Sequence, residues 1–407
     1  TIALSGSGAL AVSSPVSIKT SGLLDIKDVA NATMIGGLSG DVGGLVDLGD
    51  KTLIIRQSED GIYSGLIRGV LGSLTLDGER DLILTNRDNS YTGVTTITNG
   101  TLVLLDRGSI ANSSSTLINA VLDISSTTNG ATINNLSGTD TLATINVGSQ
   151  ILTVNHTSNG AFQGLITGGS GGLRKTGAQI LILTQPVGYS GSTTVASGDL
   201  ILLDAASLEN SSSVVVDAVL DVTDISSSST TIKNLSGNSN GFLRIGGSDL
   251  IIDVSANQTY AGTILGTTGS VSKRGSAALT LPSASSYLGG THLLEGTLVL
   301  GNNNSLGEGL VTTSDTTTLV FGNGLRFGNG MALSRGVTNW QIDGSDSVTI
   351  SSNTNGSGAW NKTGSGSLNY TGTANQAGPV LLSEGTLYFN GSTQSSINVA
   401  SGATLRG

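Results

Sequence analysis

The chain contains few side chains of the kinds that perform catalysis. Its two histidines, His156 and His292, are 136 residues apart. We therefore predict no shared metal ion and no shared proton relay, and we expect each histidine at an ordinary outward or corner position. Serine is too abundant for one nucleophile to be singled out, and no G-x-S-x-G motif stands between a strand and a helix. These residues predict no catalytic centre.

Acidic residues are the other candidates for chemistry, because paired carboxylates perform acid/base cleavage of glycans. The densest group is Asp217, Asp221 and Asp224. Asp221, however, belongs to a recurring Leu-Asp-Ile/Val pattern that also contains Asp25 and Asp123. A residue that recurs with a repeat is better explained as a turn or strand-edge feature. We therefore predict that this group is structural rather than catalytic.

A second acidic group is interrupted by glycines and could mimic a calcium loop. Its members are Asp41, Asp47 and Asp50. The nine-residue calcium-binding repeat is missing, so a solvated turn is the expectation. We predict no catalytic, cofactor-binding or metal-binding residue in the chain.

Composition narrows the class of protein. The 407 residues include 60 Gly, 4 Pro and no Cys, and the net charge is −10. This charge disfavours nucleic acid and anionic lipid as partners, and the absence of Cys excludes a disulfide framework. No apolar run approaches the length that spans a membrane. No signal peptide opens the chain, so we expect that any targeting segment has been removed or lies outside it.

Internal repeats are the main signal in the sequence. A Gly-x-Leu-x-Leu/Phe marker begins at Gly100, Gly198, Gly296 and Gly385, at intervals of 98, 98 and 89 residues. The Leu-Asp marker keeps the same 98-residue interval. Within each repeat, short apolar alternations of the Leu53-Ile54-Ile55 kind recur between Gly, Asn and Ser residues. Short strands at a fixed long period, without helical patterns, are typical of a solenoid.

The sequence therefore predicts an all-β fold, a parallel β-helix with about three short strands per coil and coils of roughly 20–24 residues. With strands about 4.8 Å apart, the chain would form a single elongated rod on the order of 80–95 Å long. We predict one continuous β-helix over 1–407. Its super-repeats are expected at roughly 1–100, 101–198, 199–296 and 297–385, with a partial coil at 386–407.

Where the period shortens to 89, the sequence becomes richer in aromatic residues. The residues singled out here are Phe321, Phe327, Trp340 and Trp360. Exposed aromatic side chains mark binding surfaces, so these four form a candidate binding patch. Filling of an irregular core is the alternative. The basic pairs Arg174-Lys175 and Lys273-Arg274 come from the repeat itself, and we expect them at solvated corners.

The repeat resembles the autotransporter-associated β-strand repeat. The likeness is carried by Lys175-Thr176-Gly177, Tyr189-Ser190-Gly191 and Gly198-Asp199-Leu200. Further copies contain Lys273 with Tyr287 and Lys362 with Gln376 in place of Tyr, and the copy around Tyr91 has Asp77-Gly78 instead of Lys-Thr-Gly. The resemblance implies a right-handed parallel β-helix in the passenger of a type V secretion system.

The resemblance also implies location and partners. An autotransporter passenger is expected on the extracellular side of the bacterial outer membrane or secreted, with a membrane barrel elsewhere in the precursor. We predict a non-enzymatic virulence adhesin that binds host cell-surface or matrix molecules, or copies of itself. The alternatives are a released effector or receptor ligand and a β-helical carbohydrate-active enzyme. No cofactor, no nucleic acid and no membrane insertion of this segment is expected.

Overall fold

The computed structural model describes residues 1–407, and all its regular elements are strands. The chain divides into two compact units, residues 1–212 and 213–407, which are described separately. No helix is present that could cross a bilayer.

The first unit contains 24 strands. They are β1 Ile2–Gly6, β2 Pro15–Ile18, β3 Leu23–Val29, β4 Thr33–Ile35, β5 Gly37–Gly40, β6 Leu45–Asp47, β7 Thr52–Ile55, β8 Gly61–Tyr63, β9 Leu66–Gly69, β10 Ser73–Leu84, β11 Ser90–Tyr91, β12 Val94–Leu104, β13 Ser115–Ile118, β14 Val121–Asp123, β15 Ala131–Asn134, β16 Leu136–Ser137, β17 Thr144–Gly148, β18 Ile151–Asn155, β19 Gly160–Phe162, β20 Leu165–Gly168, β21 Gly172–Thr176, β22 Leu181–Leu183, β23 Ser192–Val195 and β24 Asp199–Asp204.

The second unit contains 26 strands. They are β25 Ser213–Val216, β26 Val219–Ile225, β27 Ser229–Lys233, β28 Phe242–Gly246, β29 Asp249–Asp253, β30 Gln258–Thr259, β31 Thr263–Gly266, β32 Val271–Arg274, β33 Ala278–Leu281, β34 Thr291–Leu293, β35 Thr297–Leu300, β36 Val311–Thr313, β37 Thr318–Phe321, β38 Arg326–Phe327, β39 Met331–Leu333, β40 Val337–Gln341, β41 Ser347–Ile350, β42 Thr354–Gly356, β43 Ala359–Thr363, β44 Ser367–Tyr370, β45 Thr373–Ala374, β46 Val380–Leu382, β47 Thr386–Phe389, β48 Ser392–Thr393, β49 Ile397–Val399 and β50 Thr404–Arg406.

Each coil passes through three strand positions before the chain returns to the first. In unit 1, β3, β4 and β5 are followed by β6, β7 and β8, and each pairs in parallel with its counterpart one coil later. The paired residues Leu45 and Leu66 are 21 positions apart. In unit 2, β27, β29, β32, β34 and β36 pair successively in parallel in the same way. The predicted parallel β-helix is therefore confirmed in each unit, whereas the division into super-repeats stays a prediction.

Alternation along each strand places every second side chain in the interior. Strand β7 buries Leu53 and Ile55 and leaves Thr52 and Ile54 half-buried. Parallel pairing then stacks like on like, so that Ile55 lies in register with Leu76 of the next coil. Each fully buried Leu or Ile stabilises the fold by roughly 1.5–3 kcal/mol, so the stacked columns are the main source of stability.

The glycines that begin each Gly-x-Leu marker lie at corners where no other residue fits. Gly100 and Gly198 have φ of 72° and 66°, a region that other residues rarely adopt. A Cβ atom would lie 2.3 Å from the Gly78 carbonyl oxygen in the first case and 2.4 Å from that of Gly177 in the second. The backbone of the preceding coil therefore excludes any side chain there.

The sequence period does not match a whole number of coils. A 98-residue repeat divided by 21-residue coils gives about 4⅔ coils. Equivalent residues are therefore displaced by a third of a turn. In unit 1, Leu24 lies in the stack of β1, β3, β6, β9 and β11, whereas its equivalent Leu122 lies in the stack that runs through β2, β5, β8, β10, β12 and β14. Features that recur in sequence thus occupy different faces of the coil.

Candidate functional site

The aromatic residues predicted as a binding patch lie in the interior of unit 2. Phe321, Phe327, Trp340 and Trp360 are exposed by 1% or less. The Trp340 and Trp360 rings stack with centroids 4.3 Å apart, and Phe321 meets Phe327 edge-on at 5.5 Å. The four side chains therefore fill the core, which was the alternative to a binding patch. Binding of a ligand by this segment stays a prediction, and the rings themselves offer no surface for it.

The tyrosines of the repeat are also buried. The Tyr91 hydroxyl is 2.7 Å from the Thr95 hydroxyl, and Tyr189 meets Thr193 at the same distance. Tyr287 and Thr291 repeat the contact at 2.7 Å. Burial raises the pKa of each of these tyrosines. The Tyr-x-Gly-x-Thr motif therefore builds an interior hydrogen bond and supplies no reactive hydroxyl to the surface.

The pairs Arg174-Lys175 and Lys273-Arg274 were predicted at solvated corners, and for the two lysines that prediction is wrong. Lys175, Lys273 and Lys362 are fully buried, while Arg174 and Arg274 beside them are exposed. The alternation of the strand explains the difference, because adjacent residues point to opposite sides. Burial lowers the pKa of each of the three lysines to about 8.

Each buried ammonium is surrounded by main-chain carbonyl groups. Lys175 Nζ donates to the carbonyl oxygens of Thr176 at 2.9 Å, Gly177 at 3.0 Å and Ser197 at 3.0 Å. The last of these belongs to the next coil. The acceptors of Lys273 are Gly275, Ala277 and Glu295, and those of Lys362 are Thr363, Gly364 and Glu384. We call this arrangement the lysine cage. It ties two successive corners together from inside.

The histidines lie apart from any catalytic partner. His156 is buried at a corner, where its Nδ1 donates to the Ser158 carbonyl at 2.8 Å and burial lowers its pKa. The prediction of a corner is therefore confirmed, but an outward position is not. His292 is half-buried, with Nδ1 2.6 Å from the Thr312 hydroxyl. Each ring is anchored by one local hydrogen bond through Nδ1, whereas the buried Nε2 of His156 has no hydrogen-bond partner.

The repeated aspartates lie in strands, Asp25 and Asp221 inside β3 and β26 and Asp123 at the end of β14. The Asp123 carboxylate accepts the Ser125 N–H at 2.8 Å, and the Asp221 carboxylate accepts the Thr223 N–H at 2.9 Å. Asp217 accepts the N–H of Asn238 at 3.0 Å. No group of three or more acidic or histidine side chains is arranged to hold a metal ion.

The second acidic group is dispersed among separate cations. Asp41 lies 3.6 Å from Lys19, Asp47 2.8 Å from Arg68, and Asp50 2.9 Å from Lys51. Each carboxylate therefore has its own counter-ion, and the three do not converge on one loop.

The exterior of unit 1 carries a concavity that sequence reasoning missed. It has a volume of about 370 Å³ and is formed by corner residues of three successive coils. Arg87 comes from the first, Asp106, Arg107 and Ser109 from the second, and residues 128–132 from the third. We call it the arginine concavity. The available signal was the spacing of Arg87, Arg107 and Thr128, which are 20 and 21 residues apart, or one coil each.

The buried motifs lie in segments that match a known repeat family. The model of the passenger-associated-transport-repeat matches residues 74–104, 173–202 and 271–305. These segments contain the Tyr–Thr contacts and two of the three lysine cages. The chain is autotransporter passenger sequence. This passenger is exposed at the bacterial surface or secreted.

Two curated relatives support the family at low identity. The chain is 29% identical over 306 residues to the adhesin BmaC autotransporter of Brucella suis, an alignment of 72% of this chain and 9% of that protein. It is 28% identical over 300 residues to the probable autotransporter YfaL of Escherichia coli, which covers 64% of this chain and 23% of that protein. The chain thus spans a small part of either relative. No solved structure matches it significantly.

Proposed function

We propose that this passenger is a non-enzymatic surface adhesin, which binds host cell-surface or matrix molecules or copies of itself on neighbouring cells. One observation carries the proposal: the Lys, Tyr and Thr side chains of the repeat motif are buried, so the motif builds the core and leaves most outward positions unassigned. Lys175, Tyr189 and Thr193 are fully buried. Since the scaffold is specified from inside, the outward positions are available to specify contacts.

The character of the exterior supports binding rather than catalysis. Outward positions of the strands include many Thr, Ser and Asn residues between aliphatic ones such as Ile54 and Ile83. Charged residues make up only 11% of the chain. Hydroxyl and amide groups form many weak polar contacts, which add up when several are made together. The clustered aspartates are engaged in turns and ion pairs. The relative named as an adhesin agrees with this function.

Equivalent residues of successive repeats are displaced by a third of a turn, and this displacement determines which residues share one face of the coil. A binding partner that contacts a single face therefore meets different parts of the repeat in neighbouring copies. The proposal therefore places specificity in side chains that are particular to one face. Avidity comes from many passengers on one cell, together with the polar contacts along each coil.

Display on a non-adherent bacterium tests the proposal. Cells that carry residues 1–407 on their surface should bind host cell monolayers or matrix-coated wells, or should sediment together, several-fold more than cells with the empty display system. The soluble folded chain should compete, and heat-unfolded chain is the matched control that should not. Displaying cells that neither clump nor adhere to any surface would contradict the proposal.

A further inference from the structure

The arginine concavity departs from the repeat at the side chains that line it. Arg107 follows Asp106, and its equivalent 98 residues later, Ala205, follows Asp204. Both aspartates have positive φ, 57° and 55°, so the backbone of the corner is the same in both copies. The second copy also has Pro186 near the position of Arg87. The corner is therefore retained while its outward side chains change.

The concavity is less negative than the chain as a whole. Arg87 and Arg107 contribute two positive charges, and Asp106 in the lining and Asp88 beside it contribute two negative charges, so the local balance is zero in a chain of net charge −10. Arg107 forms no ion pair. Arg87 meets only its exposed neighbour Asp88, with Nε 3.2 Å from the carboxylate. Exposed pairs of this kind stabilise little and are readily exchanged for a better-matched anion.

The remaining lining groups suit a hydroxylated ligand. Thr128, Asn129 and Thr132, with their hydroxyl and amide groups, line the same concavity as the two arginines. The backbone beneath them is fixed, because the Thr128 hydroxyl and N–H both donate to the Asp106 carbonyl, at 2.9 and 2.7 Å. No aromatic or aliphatic face larger than alanine lines the concavity. Recognition there would rest on hydrogen bonds and charge.

Two arginines beside hydroxyl and amide groups are suited to one class of ligand. A guanidinium group binds sulfate or carboxylate with two parallel hydrogen bonds, which a lysine ammonium cannot do. We propose that the arginine concavity binds an acidic polysaccharide, whose sulfate or carboxylate groups pair with Arg87 and Arg107 and whose hydroxyls contact Thr128 and Asn129. This inference rests on the proposed adhesin function and gives it a ligand class.

Binding to immobilised polysaccharides tests the inference. The probes are heparin, which carries sulfate, hyaluronate, which carries carboxylate only, and neutral dextran. The wild-type chain should bind at least one acidic probe, more weakly as salt rises, and should not bind dextran. Arg87→Ala/Arg107→Ala should lower the affinity at least tenfold. Comparing the two acidic probes identifies the group recognised.

A matched control separates a site from general charge. Arg174→Ala/Arg274→Ala removes the same two charges from exposed positions elsewhere and should change affinity by less than twofold. Circular dichroism should show all variants folded, since the changed residues are exposed. Equal loss in both double variants, binding to dextran as strong as to the acidic probes, or no binding to either acidic probe would each overturn the inference.

Cell adhesion distinguishes failure of the inference from failure of the adhesin function. Displaying cells should lose adhesion when acidic glycans are removed enzymatically from the host surface, and the Arg87/Arg107 variant should lose it without treatment. If adhesion persists in both cases, the inference fails and the adhesin function stands. If wild-type cells do not adhere at all, the adhesin function fails, and the polysaccharide assay alone decides whether the concavity binds.

Discussion

The corners that follow Leu76 and Lys175 are equivalent positions in two copies of the repeat, but they are held from opposite sides. At the first, the Asp77 carboxylate accepts the Asn99 amide at 2.8 Å and lies 3.5 Å from Arg56, all on the exterior. At the second, the buried Lys175 ammonium binds three carbonyls.

The strands differ accordingly. Strand β10 continues around the first corner from Ser73 to Leu84, with irregular register at Asp77. At the second corner β21 ends at Thr176, and β22 begins only at Leu181. Corner carbonyls that leave the strand need other donors, and the lysine supplies them. The comparison teaches that the interior lysine and the continuous strand are alternative ways to build one corner.

The largest predicted effect comes from giving the second corner the side chain of the first. Lys175→Leu should lower the free energy of unfolding by about 2–3 kcal/mol, because three buried carbonyl groups lose their charged donor. This figure is a net loss, since removing the buried charge offsets part of the effect. Denaturant unfolding followed by circular dichroism measures it. Arg174→Ala, exposed and one residue away, should change stability by about 0.5 kcal/mol or less. A Lys175→Leu variant as stable as wild type would show that the cage contributes nothing.

Raising the pH should stabilise the lysine-bearing corners. The folded-state pKa of the three lysines is about 8, below the ordinary value near 10.4, so the unfolded chain holds more protons between these values and stability rises with pH. We expect a gain of about 1.5 kcal/mol per lysine from pH 8 to 9.5. The free energy of unfolding at the two pH values, compared with a Lys175→Met/Lys273→Met/Lys362→Met variant, measures this gain.

The sign of that pH dependence is informative in itself. A loss of stability between pH 8 and 9.5 that is absent from the methionine variant would mean that the carbonyls hold the lysines charged more strongly than burial discharges them. The range stops short of pH 10, because unfolded tyrosines ionise there while buried Tyr189 stays protonated, which lowers stability.

The tyrosine contact should matter equally in both copies. Tyr91→Phe and Tyr189→Phe each remove one hydroxyl that is 2.7 Å from a threonine hydroxyl. Each change should lower the free energy of unfolding by about 1 kcal/mol. Tyr388→Phe, at a site 37% exposed, is the control and should have little effect. Unequal losses at Tyr91 and Tyr189 would show that the corner difference extends into the next strand.

The smallest effect is expected on the exterior of the first corner. Asp77→Asn removes a partly exposed charge pair with Arg56, which is worth about 0.5 kcal/mol. The loss of stability in Asp77→Asn should be smaller at high salt, whereas the loss in Lys175→Leu should not change with salt. Denaturant unfolding midpoints of both variants at low and high salt check this. A loss of stability in Asp77→Asn that does not depend on salt and exceeds the loss in Lys175→Leu would show that the exterior contact is the stronger of the two.

The sequence predicted the coils and the markers because both depend on local rules. Gly100 is required by its positive φ. Asp123, at the end of β14, accepts the N–H of Ser125 two residues on. Both requirements act within a single copy of the repeat. The lysine cage could not be predicted in this way, because lysine is ordinarily solvated and the Ser197 carbonyl that completes the cage of Lys175 comes from the next coil. The arginine concavity needed the 21-residue coil length, which the 98-residue period conceals.

The mismatch between repeat and coil has an evolutionary consequence. Adding or deleting one 98-residue repeat would leave the interior columns intact but turn everything beyond the change by a third of a revolution. A surface such as the arginine concavity would then face a new direction without a single substitution in it. The number of repeats would thus set the direction in which each exposed side chain faces.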